Sequence, residues 1–168
     1  MFKENDYVMY GSAGVCRVEA VGKMNFGEKS KIYYTLESVY EKGARFFIPV
    51  DNDKVVIRPV LTREECGLLI KEVSLIEEAS IPEDKYREDI YREALKNCDC
   101  KECIRIIKTL YHRIATRAEL GKKATSSDEK FFHLVKESLY GELAFALKVP
   151  KSQVEQYITD EIEHKTCI

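Results

Sequence analysis

At Pro59 the spacing of apolar residues changes, and that change limits this 168-residue chain to strands first and helices after. Before Pro59, apolar residues alternate with polar ones in short runs, the period of a half-buried strand. Beyond it they recur every third or fourth residue, the period of an amphipathic helix. The strand half opens on a hairpin across residues 2–21. Val8 and Tyr10 point one way in its first strand. Past a turn bracketed by Gly11 and Gly14, Val15, Arg17 and Glu19 alternate with Cys16, Val18 and Ala20. Glycine supplies the backbone freedom that so tight a connection needs. Residues 22–30 read as a loop with a basic rim, and residues 31–39, dense in β-branched and aromatic side chains, as the strongest strand. Residues 45–48 and 54–58 add two more, stopped by Pro49 and Pro59, which have no N–H to give to a ladder.

Five helix starts share one signature, a capping oxygen three residues ahead of a carboxylate. They are Thr62 with Glu65, Ser80 with Glu83, Asp99 with Glu102, Ser126 with Glu129, and Ser152 with Glu155. Such a pair satisfies the exposed amides of a first turn, each cap contributing roughly 1 kcal/mol. Pro82 also sits where a first turn accepts proline. Apolar stripes follow each start. Cys66, Leu69, Val73 and Ile76 line the first helix; Tyr86, Ile90, Ala94 and Leu95 line the second. Cys103, Ile106, Ile107, Leu110, Tyr111, Ile114 and Ala118 line the third. Phe131, Leu134, Val135, Leu139 and Leu143 mark a long fourth helix over about 127–147, and Val154, Tyr157, Ile158 and Ile162 a fifth. The expected fold is α+β: a small antiparallel SH3/Tudor-like β-barrel in residues 1–60, then an all-α domain of about five helices in residues 61–168.

No run of some 18 apolar residues could span a membrane, and Met1 leads into charged residues rather than a signal peptide, so the chain is expected to be cytoplasmic. Its six cysteines are then thiols before they are a disulfide framework. The formal net charge of −2 hides a marked asymmetry. Residues 85–123 hold eleven basic and six acidic side chains, between flanks in which acids prevail. A cationic block of that kind gives one basic face, and the local field governs what it attracts. Residues 1–60, with nine basic and eight acidic side chains, are near neutral, which favours a protein partner for the strands. No constellation of nucleophile, base and acid supports an enzyme. His112, His133 and His164 stand apart on helical stretches.

The order of these parts, with particular residues, resembles the CarD/CdnL family of bacterial transcription regulators. The stretches that carry it are residues 2–10 (FKENDYVMY) with Gly14 and Val15, then Tyr33-Tyr-Thr-Leu36 and Phe47-Ile-Pro49. In the helical half they are Ile106-Ile-Lys-Thr-Leu-Tyr111, Asp128-Glu-Lys130 and Gly141-Glu-Leu-Ala144. The first sixty residues are similar to the RNA-polymerase-interacting domain that transcription-repair coupling factors also carry. The resemblance implies no catalysis; no cofactor and no metal are expected. It implies a barrel that docks on the RNA polymerase β subunit, sheet edge to sheet edge. Helices would then contact promoter DNA at the upstream edge of the bubble, stabilising the open complex. The chain is expected to be a monomer. Polymerase contact is carried onto Lys23, Met24, Phe26, Arg45 and Phe47. Here the family's basic residue two places before the barrel proline is replaced by Phe47, and Arg45 supplies a charge on the same strand face. DNA contact is carried onto Lys85, Tyr86, Arg87, Arg92, Lys108, Arg113 and Arg117, through phosphates rather than bases. The same cations could instead pair with neighbouring carboxylates such as Glu88, Glu93 and Glu102.

Two departures bear on function. Some family members push a tryptophan into the minor groove near the start of the second helix. This chain has no Trp. Tyr86 is the one aromatic in the equivalent stretch; it could stack on a base, or it could belong to the buried stripe with Ile90. Cys98, Cys100 and Cys103 could share a soft metal or respond to oxidation, yet Cys103 also fits the apolar stripe and no fourth ligand is evident. The rival to a polymerase-bound regulator is a barrel-containing RNA-binding factor of translation or elongation.

Overall fold

The computed structural model describes residues 1–25, 31–81 and 83–166. Five strands, β1 (Tyr7–Tyr10), β2 (Gly14–Lys23), β3 (Ile32–Ser38), β4 (Arg45–Pro49) and β5 (Ile57–Pro59), precede five helices. The helices are α1 (Arg63–Glu72), α2 (Arg87–Asn97), α3 (Cys100–Glu119), α4 (Ser126–Leu147) and α5 (Val154–Thr166). The strands form one antiparallel sheet in the order β4-β3-β2-β1-β5. The α+β order is as expected, but the sheet is open. β4 and β5 lie at opposite ends and do not pair; in the three-residue β5, Ile57 packs on the sheet's own core while Arg58 turns to α4. Both prolines end strands at sheet edges, Pro49 opposite Tyr33 and Pro59 opposite Val8, where a missing donor costs least.

One sheet face holds its own core of Val8, Cys16, Val18, Tyr34, Leu36 and Ile48, flanked by Phe2, Tyr10 and Phe46. The β1–β2 turn is a single 3-10 turn, Gly11–Ala13. Gly11 is required there: its φ is +42°, and an added Cβ would lie 2.6 Å from the Val55 side chain. A shift in pairing between Val18 and Ala20 bends β2, which carries the sheet over this core.

The helical core is larger and centres on α4, which packs on α1, α2, α3 and α5 and also touches β2. The buried face of α4 carries Phe131, Val135, Leu139, Leu143, Ala144 and Leu147, while Glu129, Lys130, His133 and Glu137 face solvent. Helix starts follow the expected chemistry in part. Thr62 and Glu65 form a reciprocal capping box, and Asp99 accepts from the amides of Lys101 and Glu102. The cap of α4 is Thr125, one residue before Ser126. No helix starts at Ser80. α2 begins at Arg87, after a 3-10 turn Asp84–Tyr86 and without a capping side chain, and α5 likewise follows a 3-10 turn. This later start rotates the buried face of α2, so Tyr91 is fully buried and Tyr86 is half exposed. Tyr111 and Leu134 also face outward rather than into the stripes expected of them.

Sheet and helices meet at a third, small core. Met9 and Val15, opposite each other across the hairpin, pack with Cys98 at the end of α2, Val60 and Phe145. Cys98 closes α2 in the left-handed conformation that glycine usually occupies. A cysteine holds it because its thiol enters this junction and donates to the carbonyl of Gly11, 3.6 Å away.

Candidate functional site

The β4 end of the sheet gathers the described residues assigned to a protein partner. Val50 donates to the Ile32 carbonyl and Ser38 to that of Ala44, which fixes which β4 backbone groups face β3. By the alternation of an antiparallel ladder, Arg45, Phe47 and Pro49 turn their backbone away from β3, toward the rim. The side chains of Arg45 and Phe47 share one exposed face, and Arg45 reaches Glu19 at 2.7 Å. Beside that pair, Arg17 binds Glu37 at 2.7 Å, and this bond holds the Glu37 carboxyl below the usual carboxylate range. Lys23 lies opposite Ile32 at the same end of the sheet as Val50, with Met24 following. Phe26 lies outside the described residues.

The cations assigned to DNA are brought together only in part. Lys85 and Arg92 are exposed, Lys85 beside Glu83 at 2.7 Å and Arg92 between Glu88 and Asp89. The Lys85 ammonium sits 4.7 Å from the centre of the Tyr86 ring. Arg117 donates to the Lys123 carbonyl, closing the loop between α3 and α4. Lys108 is turned inward, donating to the carbonyls of Val73 and Ile76 beyond the last turn of α1. Arg87 and Arg113 converge on Asp84 and on Asp128, whose side chain is fully buried. Six of the seven assigned residues are thus cations with anion or carbonyl partners inside the protein, and the seventh, Tyr86, presents its ring at the surface.

Three buried features escaped the sequence reading. The first is an ion pair between Arg58 of β5 and Glu142 of α4, with two parallel bonds of 2.6 and 2.7 Å. Glu142 also accepts from the Leu61 amide, and Arg58 donates to the Cys98 carbonyl. Burial works against the charge on Arg58, but the bond and charge of Glu142 outweigh it and raise its pKa. The second is Asp128, in the first turn of α4, and the third is Tyr91, whose hydroxyl has no hydrogen-bond partner among the described residues. Burial pushes the Tyr91 phenol up; Arg113 opposes that rise and Asp128 adds to it. One signal for Glu142 was present: a lone carboxylate inside the apolar run Gly141-Glu-Leu-Ala-Phe145. Asp128 reads as an ordinary first-turn acid, so nothing in the sequence marked its burial.

The three clustered cysteines point in three directions. Cys98 enters the junction, the Cys100 thiol lies 3.2 Å from Glu142, and Cys103 belongs to the helical core. Burial pushes Cys98 up to about 11 and Cys103 up to about 12, while burial and the Glu142 charge lift Cys100 further. They are neutral thiols near pH 7 and poor nucleophiles. Among the described residues, no group of three or more His, Cys, Asp or Glu side chains is placed to hold a metal ion. Nor is any described helix long and apolar enough to cross a membrane.

Residues 2–61 match the family model described as the CarD-like/TRCF RID domain. That segment, the whole sheet, is therefore an RNA-polymerase-interacting domain of the CarD-like/TRCF family. No curated protein matches the chain.

Proposed function

We propose that this chain is a non-catalytic bacterial transcription regulator that docks on the RNA polymerase β subunit through β4. Its helices then lean on promoter DNA at the upstream edge of the bubble and stabilise the open complex, one monomer to each polymerase. The observation that carries this reading is the unequal fate of the two sheet edges. β5 is committed to the helices through Arg58 and Glu142, whereas β4 ends the sheet with Arg45 and Phe47 exposed. An edge strand of this kind can accept a strand from a partner, with backbone bonds giving affinity and flanking side chains selecting the partner.

On the DNA side, Tyr86, Lys85 and Arg92 are the exposed members of the assigned set, and Arg117 lies further along α3. A tyrosine at the bubble edge offers a face on which an unpaired base stacks, while lysine and arginine offer charge to phosphates. The test is the lifetime of a polymerase–promoter open complex challenged with competitor, alongside a footprint, with and without the chain. The chain should lengthen the lifetime and extend protection upstream. Tyr86→Ala should shorten the lifetime without weakening polymerase binding. Lifetimes indifferent to the chain, together with tight binding to RNA alone, would instead point to an RNA-binding factor.

A further inference from the structure

Asp128 is fully buried, yet among the described residues neither of its carboxylate oxygens has a hydrogen bond. Each oxygen instead faces the Nε of one arginine at 3.5 Å, Oδ1 that of Arg87 and Oδ2 that of Arg113. The far ends of the same two guanidinium groups close on one other carboxylate. Arg87 reaches Asp84 at 2.8 Å and Arg113 reaches it at 2.9 Å. Two positive and two negative groups from α2, α3, α4 and the preceding turn thus form a closed, neutral set. A buried carboxylate held only by charge is a weak source of stability, and an apolar side chain of similar volume often serves a fold as well. What such a set supplies is a fixed geometry.

The element it fixes is the 3-10 turn Asp84–Tyr86. A three-residue turn has little stability of its own, and neither this turn nor α2 behind it has a capping side chain. Asp84 opens the turn and Tyr86 closes it, 49% exposed. Resting on the reading that Tyr86 meets DNA, we propose that Asp128 is a positioning residue. Acting through Arg87 and Arg113, it grips Asp84 and holds the Tyr86 ring outward in one orientation. Arg87 and Arg113 are then internal struts, not phosphate contacts, and Lys85 is the cation that accompanies the ring.

The chain contains no tryptophan, so Tyr86→Trp installs a single indole at this position, excited selectively at wavelengths beyond tyrosine absorption. In the full-length Tyr86→Trp chain, time-resolved anisotropy reads the local rotation of the indole with no polymerase or DNA present. Adding Asp128→Asn, or Asp84→Asn at the exposed end of the set, should increase the fast rotation while circular dichroism stays unchanged. In the tyrosine chain, either substitution should shorten open-complex lifetime roughly tenfold, the size of one lost stacking contact. Neither should shorten it further once Tyr86→Ala is present. Arg113→Gln should leave the salt dependence of binding to the polymerase–promoter complex unchanged. A slope lower by about one would make Arg113 a phosphate contact and overturn the assignment. Should Asp128→Asn fail to fold, Asp84→Asn carries the test, and unchanged indole rotation in that folded variant also overturns the proposal. If Tyr86→Ala leaves the lifetime unaltered, the DNA reading falls, and the anisotropy alone decides whether the turn is held as proposed.

Discussion

Glu142 is a single carboxylate on which four groups depend: the guanidinium of Arg58, the Leu61 amide, the Cys100 thiol and, through Arg58, the carbonyl of Cys98. It is 1% exposed, while Arg58 keeps 24% of its side chain in contact with solvent. Removing one partner of such a pair strands the other, at about 3–5 kcal/mol where both are deeply buried. The partial exposure of Arg58 puts Glu142→Ala toward the lower end of that range. Urea unfolding of Glu142→Ala followed by circular dichroism checks this. The double variant Arg58→Met with Glu142→Leu should recover most of the loss, since it leaves no charge unpaired. A Glu142→Ala chain as stable as the parent would mean the junction contributes nothing.

Elements show where sequence reasoning reached and where it stopped. Strand count and helix count were legible because period and turn chemistry are local. Val8, Cys16, Val18 and Leu36 alternate into the sheet core, and Thr62 with Glu65 caps α1. The start of α2 was not legible. Ser80 and Glu83 have the spacing of a cap, but the chain there is tied elsewhere: the Ala79 amide donates to Thr109, and Asp84 is held by Arg113. That tertiary tie delays the helix to Arg87 and exchanges Tyr86 for Tyr91 in the core. The candidate cations were legible as a cluster, but their partners were not, because those partners are distant in the chain. Lys108 is the plainest example, bonded to carbonyls of Val73 and Ile76 some thirty residues before it. Those carbonyls lie past the end of α1, where a lysine both satisfies acceptors and complements the helix dipole. Lys108→Met should therefore lower stability by about 1–2 kcal/mol in a thermal or urea titration. It should leave the salt dependence of binding to a polymerase–promoter complex unaltered. A reduced slope with unchanged stability would return Lys108 to the DNA surface.

At the scale of the whole molecule, the sheet and the helices keep separate cores and are joined by the small junction around Met9, Val15 and Cys98. Tyr40 donates to the Gly141 carbonyl at 2.8 Å, and the Tyr7 ring packs on that of Phe145, so the sheet is fastened to α4 at several points. Fastening of this kind means that whatever grips β4 also aims the helices. The direct test is the affinity of the full-length chain for the isolated RNA polymerase β subunit, compared with that of Phe47→Pro. Position 47 turns its backbone toward the rim, as position 49 does where a proline already stands, so proline there spares the ladder with β3 and takes an N–H and the phenyl ring from the docking edge. The predicted result is a loss of at least roughly tenfold in affinity, with Lys85→Glu in the helices leaving affinity unchanged. Full affinity in a folded Phe47→Pro chain would contradict docking through β4.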